Sequence, residues 1–227
     1  MKKTLLILAA AFACFSCTGI DMATRYPNMV ADLDPFSVGT ANASFDQLFS
    51  SKLKTQNVNV IFYPRENIVA LEFRHELVRY RQFWNQSARQ RFAEALTKYK
   101  DDFDNERLVT KFNKSRSAYG RLQGKVEWET FKYTSTYKAS PAFELGYRFK
   151  GKGPYFTVLQ RSAKEETGIM SGSNLESKQF VMYYTRAQGD KMAQFFDQNF
   201  LLEKAGVSVG GKPSASDEPD VDEYRAK

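Results

Sequence analysis

The sequence predicts an α+β fold: an antiparallel sheet of about six strands covered by two amphipathic helices, in the order β-β-α-β-β-β-β-α. Three observations predict it. Strand-like stretches follow one another through short turns, as hairpins do, whereas parallel strands need crossovers of a dozen or more residues. Two stretches carry an apolar stripe of 3.6-residue period behind a helix-capping signature. The aromatic content is 15%, with 19 Phe and 12 Tyr, and aromatic side chains bury large areas and suit strands.

Residues 58–63 form the first predicted strand, closed by the turn Pro64-Arg65-Glu66-Asn67. The second starts at Ile68, with Val69, Leu71 and Phe73 on one face, and runs on to Trp84 through a bulge near His75 that switches the apolar face to Val78, Tyr80 and Trp84. A helical reading of Phe73, Leu77, Tyr80 and Trp84 also fits the spacing. It conflicts with Ser87-Ala88-Arg89-Gln90, a capping box that starts a new helix at Ala88. That helix places Phe92, Leu96, Tyr99 and Phe103 on one stripe and ends near Asn105. Residues 124–134 read as the third strand. From Pro141, Phe143, Leu145, Tyr147 and Phe149 alternate with Glu144 and Arg148, the clearest period of two in the chain. Gly151-Lys152-Gly153-Pro154 turns that strand into residues 155–161 as a hairpin, and residues 162–177 read as a polar, mobile loop. The last strand is residues 180–184. Thr185-Arg186-Ala187-Gln188 is a second capping box, opening a helix through Met192, Phe195 and Phe196 to about Leu202, with Gly206 as the stop. An antiparallel sheet with one apolar face needs a cover, and two amphipathic helices supply it.

The candidates for chemistry are sparse. His75 is the single histidine of the chain, and metal sites draw on two or more His or Cys at set offsets. No Gly-x-Ser-x-Gly, Walker or Gly-x-Gly-x-x-Gly sequence is present. Glu127 and Glu129 would project from one sheet face, as glycosidase carboxylates can, but their alternation with Val126 and Trp128 reads more simply as a solvated face. No catalytic residue, metal ligand or cofactor is therefore expected. Basic residues cluster at Arg74, Arg79, Arg81, Arg89 and Arg91, and again at Lys111, Lys114, Arg116, Arg121 and Lys125. Interleaved with Tyr80, Phe83, Trp84 and Tyr119, they suit either a solvated sheet face or contact with an anionic surface. The aromatic surplus is consistent with a filled core or with a pocket for a lipid or other hydrophobic ligand.

The N-terminus is the most informative segment. Lys2 and Lys3 precede an apolar run from Leu5 to Phe15, followed by Ser16-Cys17-Thr18-Gly19. A short cationic start, an apolar run too short for a bilayer and a small residue at a cut site make a bacterial export signal. The stretch resembles the lipobox of bacterial lipoproteins, in the loose form found in spirochaetes. The resemblance implies that a cysteine is acylated and that the signal is cut just before it. Cys17 is favoured because polar Thr18-Gly19 follows it; Cys14 is the alternative, but Phe15 continues the apolar run after it. An ordinary cleaved signal would instead release the domain into the periplasm.

With Cys17 as anchor no thiol remains for a disulfide or a nucleophile. The formal charge of +7 falls to +5 without Lys2 and Lys3, a mild excess that does not call for nucleic acid. The expected organisation is signal peptide 1–16, lipidated cysteine and tether 17–43, one α+β domain 44–206, and a disordered acidic tail 207–227. The phrases LEFRHELVRYRQFW, RFAEALTKYKDDF and ELGYRFKGKGPYF resemble uncharacterised treponemal lipoproteins. That resemblance implies an envelope location and carries no known activity. The expected protein is thus lipid-anchored, periplasm-facing and non-enzymatic, with a membrane contact through its lipid and an envelope protein or hydrophobic ligand as further partner. A ligand carrier and an envelope hydrolase are the alternatives. Thr18, rather than Asp, after the cysteine favours the outer membrane.

Overall fold

In the computed structural model, residues 25–47, 52–109, 115, 117–130, 135–151, 153–166 and 175–207 are described. Cys14, Cys17, Lys111, Lys114, Arg116 and nearly all of the acidic tail lie outside them. The strands are β1 (Phe36–Asp46), β2 (Leu53–Tyr63), β3 (Ile68–His75), β4 (Val78–Asn85), β5 (Gly120–Gln123), β6 (Lys125–Thr130), β7 (Thr136–Ala139), β8 (Ala142–Lys150), β9 (Gly153–Gln160), β10 (Ala163–Lys164), β11 (Glu176–Ser177) and β12 (Phe180–Tyr184). Helix α1 (Gln86–Asp104) follows β4, and α2 (Arg186–Phe196) and α3 (Gln198–Lys204) follow β12.

The main sheet is antiparallel and has ten strands, in the order β5-β8-β9-β12-β1-β2-β3-β4-β6-β7, with β10 and β11 as a separate ribbon. This corrects the expected six strands and their order. Its two ends belong to a single hairpin. Gln123 pairs with Ala142 in β5–β8, and Val126 pairs with Ala139 in β6–β7. The register is unbroken between them, and the Gly124 N–H donates to the Pro141 carbonyl at 2.8 Å. The β6 half of this bent hairpin extends β4, while its β8 half extends β9. The sheet therefore curls into a barrel that closes through the bend. Gly124 sits at the bend because a β-carbon there would overlap the Phe143 ring.

Contacts across the barrel fill its interior. The Trp84 ring on β4 lies 5.1 Å from Phe143 on β8, and Tyr80 lies 4.9 Å from Phe180 on β12. Gln82 and Gln160 are both fully buried, and the Gln82 Nε2 donates to the Gln160 Oε1 at 2.8 Å.

Several local expectations change. Residues 36–43, read as tether, belong to β1. Their inward positions are Ala41 and Ala43, small side chains that give no apolar pattern, and Gly39 takes φ +141° with Phe195 of α2 packed where a β-carbon would stand, at 2.8 Å. Residues 68–84 are not one bulged strand. The chain reverses at Glu76, φ +55°, so β3 and β4 form a hairpin and Val78, Tyr80 and Trp84 face the same interior as Phe73. The N-cap of α1 is Asn85, whose side chain accepts from the Ala88 N–H; Ser87 is not the cap. The Thr185–Gln188 capping box is present as expected. The helix it opens breaks at Asp197, which ends α2 and caps α3 by accepting from the Phe200 N–H. The stretch read as a loop at 162–177 contains the β10–β11 pair.

The two barrel ends differ. At one, the Pro64–Asn67 turn meets the start of α1 and the junction of α2 with α3. There Arg89 of α1 is 1% exposed. Its Nε donates to the Phe196 carbonyl at 3.2 Å, Nη1 to the Asn67 and Trp84 carbonyls at 2.8 and 3.2 Å, and Nη2 to Asn67 Oδ1 and Gln198 Oε1 at 2.9 and 2.6 Å. All five guanidinium N–H groups are used. Burial lowers the Arg89 pKa to about 10, so the group stays charged at neutral pH. Residues before β1 lie at this end too: the Val30 N–H donates to the Pro64 carbonyl at 2.9 Å, and Arg65 pairs with Asp32 and Asp34 at 2.6 and 2.8 Å. The opposite end, with the β3–β4 turn and the junction of β1 with β2, carries none of the three helices.

Candidate functional site

The open end of the barrel holds a cleft of about 370 Å³, lined by Phe45, Asp46, Gln47, Lys54, Gln56, Arg74, His75 and Glu76. Strand alternation puts Phe45, Lys54, Gln56 and His75 on the inward face, while Asp46 and Arg74, one residue off, belong to the outer face at the rim. Phe45 on β1 and Phe73 and His75 on β3 point into the barrel mouth, and β12 adds Phe180 from across the ring. His75 stacks on Phe45 at 5.3 Å and lies 5.0 Å from Phe180. Phe73 and Tyr80 continue the cluster below, with Phe73 5.6 Å from Phe180 and 5.8 Å from Tyr80. Phe45 and His75 thus line the cleft, and the buried Phe73, Tyr80 and Phe180 pack behind them.

Burial among these rings lowers the His75 pKa; Glu76 and Asp46 oppose the shift, and Lys178 adds to it. The imidazole is accordingly neutral at pH 7. Among the described residues its ring nitrogens have no hydrogen-bond partner, so no carboxylate orients it as a general base would require. The two acidic groups of the rim are occupied. Asp46 accepts from Tyr183 Oη at 2.9 Å and pairs with Lys150 at 2.6 Å, and Glu76 pairs with Lys178 at 2.7 Å. Lys54 and Arg74 have no such partner among the described residues. The Arg74 main-chain carbonyl is held by Gln56 Nε2 at 2.7 Å.

The sequence-derived candidates fall in different places. Arg79 and Arg81 are on the outer face of β4, within a row of alternating charge. Cross-strand pairing sets Glu72, Arg81, Glu127 and Lys138 side by side across β3, β4, β6 and β7. Arg81 is held by Glu72 and by Glu127 at 3.2 Å, and Lys138 reaches Glu127 at 3.2 Å. Arg79 pairs with Glu72 at 3.4 Å and Glu129 at 3.9 Å. Glu127 and Glu129 share a face, as their spacing predicts, but they hold arginines, and the gap between them is only about 10 Å³. Arg89 is buried and so does not contribute to a basic surface. Its place in the cluster came from counting charge along the chain, which does not register which face of α1 meets the sheet. Arg91 is exposed on α1, beside Arg121 in a separate cleft of about 220 Å³. The five arginines therefore share no common face. Arg74 lies at the rim of the mouth, with its side chain on the outer face beside its cross-strand partner Arg79. Lys54 and Phe180 were not singled out in the sequence, because nothing in their local pattern marks them as neighbours of His75.

A second, wider groove of about 770 Å³ runs along α2 and α3 beside Phe200 and Val207. It is more open and gathers no unpaired cation. Among the described residues no group of three or more His, Cys, Asp or Glu side chains is placed to hold a metal, and no helix is long and apolar enough to cross a membrane. No curated protein and no solved structure matches the chain. Residues 35–203, which take in the sheet from β1 and the helices through most of α3, match the family described as "Uncharacterised Treponema protein", and the chain belongs to that family.

Proposed function

We propose that the chain is a lipid-anchored cell-envelope protein whose domain faces the periplasm and works by binding rather than by catalysis. The N-terminal leader ending at Cys17 is the observation that carries the anchor. The structure adds a geometric support. Arg25 is the first described residue, and residues 30–34 are pinned to the helix-bearing end of the barrel through Pro64 and Arg65. The chain from Cys17 to Arg25 reaches about 28 Å when fully extended. Acyl chains on Cys17 therefore hold that end toward the bilayer and turn the open mouth away from it. Binding is favoured because the interior is filled by Trp84, Phe143 and the Gln82–Gln160 pair, leaving the surface to do the recognising.

Metabolic labelling with a fatty acid tests the anchor. Wild type and Cys14→Ser incorporate label and Cys17→Ser does not. Unlabelled wild type overturns the lipoprotein reading, and loss of label in Cys14→Ser alone moves the anchor to Cys14.

A further inference from the structure

We propose that the outer face of β2, β3 and β4 beside the Pro64–Asn67 turn rests on the bilayer interface, with Ile61, Tyr63, Ile68 and Phe83 meeting the lipid. The inference rests on the lipid-anchor reading and adds a second, non-covalent contact with the same membrane.

Strand alternation fixes the face. Phe62, Val69 and Trp84 are buried inward, so Ile61, Tyr63, Ile68, Ala70 and Phe83 point outward. Cross-strand pairing gathers them: Ile61 stands opposite Ala70, Ala70 opposite Phe83, and Tyr63 opposite Ile68. The Tyr63 and Phe83 rings meet edge to face at 6.1 Å. Ala70 is fully buried, while the four larger side chains are half-buried and keep part of their surface toward solvent. The next row on the same face is polar, with Asn59, Glu72, Arg81 and Glu127 side by side. An apolar patch with a polar rim marks a contact surface.

The tether decides what it contacts. Residues 30–34 are held at the turn that borders the patch, through Pro64 and Arg65. Leu33, between the two aspartates that bind Arg65, is 42% exposed. The chain from Cys17 to Arg25 spans at most about 28 Å, so a lipid on Cys17 keeps the patch close to the bilayer, and a tethered surface meets its target at high effective concentration. Tyrosine rings settle at headgroup level. Lys125, exposed opposite Phe83, lays its stem along the patch edge and holds its ammonium in the headgroup layer. The flanking arginines are already matched, Arg81 by Glu72 and Glu127 and Arg65 by Asp32 and Asp34, so the contact is apolar rather than electrostatic.

Residues 17–227 carry Cys17 as their single thiol, and the contacts of the fold described above lie from Arg25 onward. This chain is coupled through Cys17 to a maleimide lipid in phosphatidylcholine vesicles brominated near the headgroup, and tryptophan emission is compared with that on unbrominated vesicles. Trp84 and Trp128 are 1% and 3% exposed and supply the background. Phe83→Trp is quenched, and Asn57→Trp, on the same face toward the other barrel end, is not. Leu33→Trp gives the same reading from outside the sheet should Phe83→Trp unfold. Adding Leu33→Glu and Ile68→Glu to Phe83→Trp lowers the quenched fraction about tenfold, whereas raising the salt leaves it unchanged. Quenching of neither reporter, or of both equally, overturns the proposal, as does quenching abolished by salt. A blue shift in Phe83→Trp that grows with chain density on the vesicle, without quenching by bromine, assigns the face to a second copy of the chain and overturns it too. The coupling is chemical, so the outcome is independent of acylation in the cell and of the labelling experiment.

Discussion

Arg89 joins three stretches of the chain that are far apart in sequence, around Asn67, around Trp84 and around Phe196–Gln198, and its removal has a calculable cost. Arg89→Ala deletes a guanidinium that is 1% exposed and donates five hydrogen bonds. Three of the acceptors are main-chain carbonyls, of Asn67, Trp84 and Phe196, and cannot rotate to new partners. A hydrogen bond to a charged group contributes about 1.5–3 kcal/mol, and a buried acceptor left without a donor costs about 1–3 kcal/mol. Water entering the vacated space recovers much of that sum. The expected net loss is therefore about 3–5 kcal/mol, the range found when one partner of a buried ionic network is removed. In a chain of this size that lowers Tm by roughly 6–20 °C. Arg89→Lys retains a charge but gathers three donors on one atom, so it recovers less than half of the loss. Urea denaturation of the three proteins, read as the midpoint at unchanged slope, measures both values. A loss below about 1 kcal/mol for Arg89→Ala would show that the helix-bearing end does not depend on this side chain. Full recovery in Arg89→Lys would refute the argument from the planar fork.

Gly124→Ala forces a methyl group against the buried Phe143 ring at the bend of the closing hairpin, and overpacking of this kind costs about 1–3 kcal/mol; the same denaturation assay reads it, and a neutral result would mean that the bend tolerates a side chain. His75 titrates below its ordinary pKa of 6.5 because burial disfavours the imidazolium, and an NMR pH titration locates the midpoint. The sign follows from linkage: the unfolded chain takes up the proton first, so the contribution of His75 to stability is intact above pH 6.5 and is lost as pH falls from there through the lower folded-state value. In His75→Phe that loss disappears, and a midpoint at or above 6.5 would contradict the stacking on Phe45 and Phe180.

The parts of the fold that could be read from the sequence were those with strong local patterns. The alternation of Phe143, Leu145 and Tyr147 located β8, and Thr185 with Gln188 located the start of α2. β1 was missed because its inward residues are Ala41, Ala43 and Gly39, whose burial depends on large partners such as Phe195 elsewhere in the chain. The β3–β4 turn was missed because Glu76 and Leu77 are not typical turn residues; Glu76 adopts a positive φ that its residue type does not advertise. Barrel closure was beyond any local pattern, since it is a matter of which strand extends which. The mouth was half visible. His75 stood out as a residue, whereas Lys54, Phe45 and Phe180 became its neighbours only through β1–β2, β2–β3 and β1–β12 pairing.

The β1–β12 ladder joins the beginning of the domain to its end: Ser44 pairs with Tyr183 and Phe45 with Met182. A ring closed by its terminal strands has no complete intermediate. While the chain is being made, β1 has one neighbour, β2, and waits for almost the whole domain to follow. Closure of this kind is rich in long-range pairing and correspondingly slow. The barrel therefore cannot close until almost the whole domain is present. The same late step completes the aromatic cluster at the barrel end, because Phe180 arrives with β12, so Phe45 and His75 find this partner only when the last strand is in place.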